Sequence, residues 1–425
     1  MTAGLRSHEA RLLLGMDGAN SAELVAHVAT HGPLPARTRA GADPALLDMI
    51  DASGLTGRGG AGFPAGRKMR TVSASDQTPV VVANGSEGEP ASAKDTLLLT
   101  RAPHLVLDGI QVAARAVGAD ETHLVVHRAG LASALRARAA ERTDDDVPLT
   151  IHELPRRYVS SEESAVVAWL NGHDAKPTFT PPRPFEQGVR RRPTLVNNVE
   201  TLAHIALLAR HGSDWFRSVG DALEPGTMLL TVRGPELPAT VTEVATGTPI
   251  GDVLDRLGVT AAAAPAVLVG GYFGTWLPTE YAAQLPLTRQ ALRGAGSALG
   301  AGVLAALPAG LCALAETSRV VNYLAAQNAG QCGPCLNGLP AIATALQALA
   351  AAKVSDSSWM ALERWLAVVP GRGACRHPDG VTRLVANTLT TFAADAAAHR
   401  GGRPCAGAAA PGWLPVPGPP QARWR

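Results

Sequence analysis

The sequence predicts a three-part fold: an α/β domain over residues 1–220, a small α+β unit over 221–300 and an all-helical domain over 301–399, followed by a tail over 400–425 left without structure. Three observations predict it. Strand-like and helix-like patterns alternate as far as about residue 210, short β-rich runs crowd residues 228–278, and apolar residues recur at three- and four-residue spacing from about 315 to 399. A chain of 425 residues also exceeds what one core usually serves, so several domains are expected.

In chain order, a polar, Ala-rich lead-in carries helical stretches near Ser21–Thr30 and Pro44–Asp51. A glycine cluster, Gly57-Arg58-Gly59-Gly60-Ala61-Gly62, follows, and then the β-rich runs Pro79–Ala83 and His123–His127, separated by a helical stretch. Short strands are expected at Met228–Val232, Val241–Val244 and Val267–Val269, with a helix at Ile250–Leu257. The uncharged segment Gly294–Ala315 has the length of a membrane span, but it is mostly Ala and Gly and is interrupted by Pro308, so it reads as a buried strand and turn. Val320, Val321 and Leu324, then Leu339, Ile342, Leu346 and Leu349, mark one face each of two bundle helices. The tail is rich in Pro, Gly, Ala and Arg.

Composition narrows the function. The hydrophobic fraction of 46% and charged fraction of 17% belong to a folded globular protein, and a formal net charge of +2 removes any global electrostatic reason to bind nucleic acid or an anionic membrane. Local sites must carry the function. Five cysteines, with no signal peptide recognised at the start, argue for a reducing compartment, by default the cytoplasm. Basic residues are almost all Arg; Lys68, Lys94, Lys176 and Lys353 are the four lysines, which makes each of interest.

Four polar clusters and one cysteine pair stand out. Gly57-x-Gly59-x-x-Gly62 has the spacing of a dinucleotide fingerprint whose amides can cradle a phosphate, yet the residues before it read as helix, which argues against an ordinary Rossmann site and leaves a surface loop as the plain alternative. Asn84-Gly85-Ser86-Glu87-Gly88-Glu89-Pro90 follows a strand directly, where α/β sheets bind ligands; singly it is also an acidic turn. Tyr158 to Glu163 ends in adjacent carboxylates that a helix start explains equally well, and Pro193 to Thr201 carries the Asn197-Asn198 pair. Cys332-Gly333-Pro334-Cys335 reads either as a thioredoxin-type dithiol or, with Cys375 forty residues on, as iron–sulfur ligands. Cys312 and Cys405 read as a buried apolar residue and a tail residue.

In this order, from about Ser53 to Asp379, the motifs resemble the FMN- and NADH-binding subunit of bacterial respiratory complex I and its soluble hydrogenase and formate dehydrogenase relatives. The resemblance implies an FMN-binding Rossmann-like α/β domain, a β-grasp-like insert and a four-helix iron–sulfur domain. It implies FMN held by Gly57, Arg58, Gly59, Gly60, Lys68, Asn84, Glu87, Tyr158, Glu162, Glu163, Asn197, Asn198 and Thr201, with Lys68 facing the phosphate, and NAD(P)H met by Phe63, Glu89 and Arg183. Cys332, Cys335 and Cys375 would hold a four-iron four-sulfur cluster. Hydride would pass from NADH to FMN and single electrons onward through the cluster.

The departures are specific. Ser86 stands where the family has Asp, and Ser160-Ser161 where it has Cys-Gly. Thr180-Pro181-Pro182-Arg183-Pro184 lacks the aromatic ring expected to stack on the nicotinamide dinucleotide. In Asn328-Ala329-Gly330-Gln331-Cys332-Gly333-Pro334-Cys335 the first cluster ligand is Ala329, leaving three thiolates for a site-differentiated or three-iron cluster. The expected function is a divergent paralogue that oxidises NAD(P)H or another donor through FMN and passes electrons to a ferredoxin-like or membrane-bound partner, itself without a membrane span and at most peripheral to a membrane complex. A scaffold paralogue without NADH binding and a dithiol oxidoreductase are the alternatives.

Overall fold

The computed structural model describes residues 10–37, 40–418 and Trp424. Its first sheet contains β1 (Val80–Asn84), β2 (Glu121–Val126), β3 (Leu149–Glu153) and β4 (Thr194–Asn198) in the order β3-β2-β1-β4, every pair parallel. Val80, Val81, Val82 and Ala83 have no exposed surface, as a central strand of a parallel sheet covered on both faces requires. The chain runs outward from β1 to β3 and then returns to the other side of β1 as β4. Strand order therefore reverses between β1 and β4, and the crevice outside their carboxyl ends is where such sheets take ligands. Register puts Asn84 beside Asn198 and Ala83 beside Asn197 at that edge.

Two helices, Pro103–Val117 and Val199–Arg217, the second kinked at Gly212, back the sheet. They cross so closely that a Cβ on Gly109 would lie 2.0 Å from the Leu202 carbonyl oxygen. A helix, Pro44–Ser53, precedes the glycine cluster, so the strand that a dinucleotide fingerprint needs is absent there.

The second sheet comprises β5 (Thr227–Arg233), β6 (Thr240–Ala245), β7 (Ala266–Val269), β8 (Thr275–Pro278) and β9 (Val303–Leu307), ordered β6-β5-β9-β7-β8, with β5 and β9 parallel and the other pairs antiparallel. β8 was not legible in the sequence, and β9 lies beyond residue 300, so the boundary expected there cuts through this sheet. The reason is in β9 itself: Val303, Leu304, Ala305, Ala306 and Leu307 are buried to within 1% and pair on both edges, which is the buried strand that the uncharged segment predicts. Among the described residues no helix is long and apolar enough to cross a membrane.

The helical part holds Ala313–Ala326, Leu339–Ala350, Asp356–Val368, His377–Thr391 and Ala393–Arg400, packed through Leu324, Ile342, Leu346, Leu362 and Leu384. Trp276 of β8, fully buried, joins this bundle to the second sheet by donating its indole N–H to Thr317. The tail differs from the structureless expectation over its described residues. Ala406–Ala409 forms a short 3-10 turn, the amides of Trp413 and Leu414 donate to the Glu316 carboxylate, and the Tyr272 hydroxyl donates to the Pro415 carbonyl at 2.6 Å. Buried acceptors on the bundle satisfy the tail backbone, which composition alone does not reveal. Residues 419–423 and 425, part of the same expectation, lie outside the described residues.

Candidate functional site

The glycine loop lies across the carboxyl edge of β1 and β4. Gly57 N–H donates to the Phe63 carbonyl and Arg58 N–H to Thr201 Oγ1, both at 2.9 Å. A Cβ on Gly59 would stand 3.2 Å from Asn198 Cβ, and one on Gly60, where φ is +100°, 3.2 Å from the Gly300 carbonyl oxygen. Glycine is required there because the loop is wedged between the first sheet and the second unit. The Arg58 side chain turns inward, to Thr56 and the Thr227 carbonyl.

Around the loop most sequence-predicted polar groups meet. Lys68 Nζ donates to the Val196 carbonyl at 2.7 Å and pairs with Glu163 at 3.1 Å. Asn84 Nδ2 donates to the Ser161 carbonyl at 2.8 Å. Glu162 caps the helix Glu163–Leu170, accepting from the amides of Ser164 and Ala165, so the helix-start reading describes it correctly. The Glu87 carboxylate, from outside the helix, satisfies the first turn of Lys94–Arg101 by accepting from the amides of Asp95 and Thr96. Burial first, then Asp95, raises the Glu87 pKa; burial first, then Glu163, raises that of Glu162. Asn198 caps Val199–Arg217 and donates to Asp95 at 2.7 Å. Asn197 is different. Its Nδ2 is buried and has no hydrogen-bond partner among the described residues, a costly state for a donor that a ligand acceptor would relieve, and Arg58 Nε shares that state.

Beneath the loop lies a charge cluster that sequence reasoning missed. Lys94, 3% exposed, pairs with Glu200 at 2.9 Å and Asp95 at 2.7 Å, while Arg58 stands 4.0 Å from Glu200. Burial alone would lower the Lys94 pKa, but the two carboxylates outweigh it and hold the ammonium charged. The scarcity of lysine and the Lys94-Asp95 pair that follows the Asn84–Pro90 motif were the available signals.

The three residues expected to meet NAD(P)H share no hydrogen bond, ion pair or ring contact among the described residues. Phe63 is half-exposed beside the Arg67 guanidinium. Glu89 is buried, accepting from the Tyr158 hydroxyl at 3.1 Å and the Tyr272 amide at 2.8 Å; burial pushes its pKa up to about 7. Arg183 is exposed, its amide bonded to Glu186.

Cys332, Cys335 and Cys375 converge. Cys332, half-buried, and Cys335, buried, are near enough to act on each other electrostatically, and Cys375 acts on Cys335 in the same way. Cys375 is influenced electrostatically by both Cys332 and Glu162. Cys335 lies in the π-type turn Pro334–Gly338 that leads into Leu339–Ala350, and the helix Ala313–Ala326, not a strand, comes before the pair. Burial followed by Cys332 pushes the Cys335 thiol up to about 12. A helix in place of the strand opposes the dithiol reading. Asn328 is engaged locally, its Oδ1 accepting from the Gly330 amide at 2.8 Å and its Nδ2 donating to the Ala325 carbonyl, so it does not turn to the sulfurs.

The residues present fit both groups that the motifs imply, the second incompletely. An unpartnered buried amide, a glycine cradle and a lysine suit FMN, and three converging thiols supply three corners of a cubane whose fourth is Ala329, 8% exposed. Comparisons with known proteins agree. Residues 50–207 match the Nuo51 FMN-binding domain, and residues 315–399 the NADH-ubiquinone oxidoreductase-F iron-sulfur binding region. The chain is 30% identical to the second NADH-quinone oxidoreductase F-subunit of Rhizobium meliloti over 383 residues, covering 85% of this chain and 90% of that protein. With the F-subunit of the Streptomyces coelicolor enzyme it shares 28% identity, covering 85% and 84% of the two chains. A crystal structure of an NAD+-reducing NiFe-hydrogenase in the H2-reduced state superimposes with a TM-score of 0.80 at 28% identity, over 94% of this chain and 68% of that one. Motif order, fold and site thus converge on one assignment: the chain belongs to the family of NADH-quinone oxidoreductase F-subunits, as an NADH dehydrogenase-like oxidoreductase component whose cofactor set is FMN, an iron–sulfur cluster and NADH.

Proposed function

We propose that this chain is a divergent member of the family which takes electrons from NAD(P)H at the crevice between β1 and β4 and passes them singly, through the three-cysteine site, to a ferredoxin-like or membrane-bound partner. One observation carries the reading: Tyr158, in the turn that leads to Glu162, donates its amide to Gln327 at 3.0 Å and packs its ring 5.7 Å from that of His377, two residues from Cys375, so the flavin crevice and the thiol cluster adjoin. FMN supplies the conversion between a two-electron donor and one-electron acceptors.

The chain's own residues orient and exclude. The glycine loop amides and Lys68 meet a phosphate, which Lys68 reaches by exchanging its contact with Glu163. Asn197 donates its free N–H to a ring acceptor, while Asn198 and Thr201 hold the loop edge in place. Glu87 and Glu162 act by satisfying the first turns of helices that border the site, and Tyr158 by fixing Glu89. Phe63 is the accessible aromatic surface for a nicotinamide dinucleotide, and Arg183 is an accessible guanidinium able to meet the extra phosphate of NADPH. Cys332, Cys335 and Cys375 would hold an iron–sulfur cluster through three thiolates. The second sheet reads as β-grasp-like, since its first and last strands lie side by side and parallel at the centre.

Anaerobic reconstitution with FMN, iron and sulfide, followed by stopped-flow reduction with NADH and NADPH, tests this. Flavin bands that bleach with either nucleotide are expected. A protein that stays colourless would overturn the reading in favour of a scaffold.

A further inference from the structure

We propose that Cys312, His399 and Cys405 form a Cys2His site for a thiophilic divalent cation of the zinc class, which fastens the tail to the helical domain. Cys312 immediately precedes the helix Ala313–Ala326, His399 lies in the last turn of Ala393–Arg400, and Cys405 opens the short turn Ala406–Ala409. Their ligand atoms all lie within 4.8 Å of one another, with Cys312 Sγ 3.8 Å from His399 Nε2. A tetrahedral zinc site has N···S edges of roughly 3.5 Å and S···S edges of about 3.8 Å, so an ion fits with small adjustments. Two thiols and an imidazole are the ligand types that zinc selects over magnesium or calcium.

The imidazole is set for this role. His399, fully buried, places Nδ1 3.1 Å from the Leu349 carbonyl oxygen, which fixes the N–H on Nδ1 and leaves the Nε2 lone pair facing the sulfurs. That lone pair accepts from the Cys405 amide at 2.9 Å, so the ion enters by displacing this backbone hydrogen bond at a partly buried residue. The site is separate from the Cys332 group: Leu349 and Cys335 lie near opposite ends of the helix Leu339–Ala350, roughly 20 Å apart at a rise of about 1.5 Å per residue. A metal crosslink at Cys405 also accounts for the docking of a segment whose composition gives it little core of its own.

The test uses the full chain purified with its cofactors. Bound zinc is measured by mass spectrometry on the native chain and on Cys405→Ser, and cobalt(II) serves as the spectroscopic probe. Because the cluster thiols also take zinc when iron is scarce, cobalt titrations are repeated on Cys332→Ser/Cys335→Ser/Cys375→Ser, with and without Cys405→Ser. The expected result is one zinc lost on Cys405→Ser, and tetrahedral cobalt bands with thiolate charge transfer in the triple variant that weaken at least ~100-fold when Cys405 is also replaced. If the triple variant does not fold, chymotrypsin cleavage after Trp413 decides in the native chain, where a chelator should open a site that Cys405→Ser leaves open throughout. Equal zinc in native and Cys405→Ser protein, or a Cys312–Cys405 disulfide persisting in excess zinc, would overturn the proposal.

Discussion

At the scale of single residues, the two kinds of site group behave differently. Lys68 is already paired in the structure, to Glu163 and the Val196 carbonyl, so a phosphate contact replaces one charge-assisted bond by another. Lys68→Ala is expected to weaken FMN binding about 10- to 150-fold, equivalent to roughly 1.5–3 kcal/mol, in a fluorescence titration. Asn197 Nδ2 is unpaired, so its N–H contributes no hydrogen bond to the apoprotein. For Asn197→Ala the thermal midpoint of the apoprotein should hold or rise while flavin affinity falls about fivefold or more; a drop in both would mean that the amide has a structural partner. Glu89 supplies a pH dependence. Its folded pKa of about 7 lies above the unfolded value of 4.5, because burial disfavours the carboxylate more than the Tyr272, Ala91 and Tyr158 hydrogen bonds favour it. The folded protein thus binds the proton more tightly. The resulting stability is complete below about pH 4.5, is lost as pH rises towards 7, and does not return above it. Subtracting the melting curve of Glu89→Gln from that of the native chain across this range should isolate the decline; a difference independent of pH would refute it.

Secondary-structure elements decide how these residues are presented. Helix Val199–Arg217 begins at Asn198, and its first turn carries Glu200 and Thr201, so its position sets the glycine loop. That position depends on the crossing with Pro103–Val117 at Gly109. The approach leaves no room for a methyl group, and Gly109→Ala must push the helices apart. The expected cost is about 1–3 kcal/mol in urea unfolding, together with weaker flavin retention because Thr201 moves with its helix. Helix starts explain why the acidic motifs were ambiguous in sequence. Glu87 and Glu162 satisfy first-turn amides, and the same contacts bring them to the edge of the crevice, so the structural and functional readings describe one arrangement.

Across the whole molecule, the parallel sheet and the helical bundle meet where Tyr158 packs against His377 and bonds Gln327, and the cluster site depends on the completeness of its thiol set. In Ala329→Cys the new side chain sits in the loop three residues before Cys332, at a buried position. After anaerobic reconstitution, the native chain is expected to give a labile or three-iron signal in electron paramagnetic resonance, and Ala329→Cys a stable four-iron one. Iron retained by neither protein would show that no cluster forms.

The chain's local patterns determined the element types. Period-two and apolar runs marked β1, β2 and β5, three- and four-residue spacing marked the bundle helices, and the glycine, asparagine and cysteine motifs stood in an order that identified the family. What they could not determine is which distant groups meet. The Lys94–Glu200 pair spans 106 positions, the unpaired state of Asn197 depends on everything packed around it, and Cys312 joins His399 and Cys405 only because the bundle closes and the tail folds back over Glu316. Periodicity reports the face that a residue takes within its own element. Contacts between elements are set by packing and by backbone groups seeking buried partners, and those exist only in the folded chain.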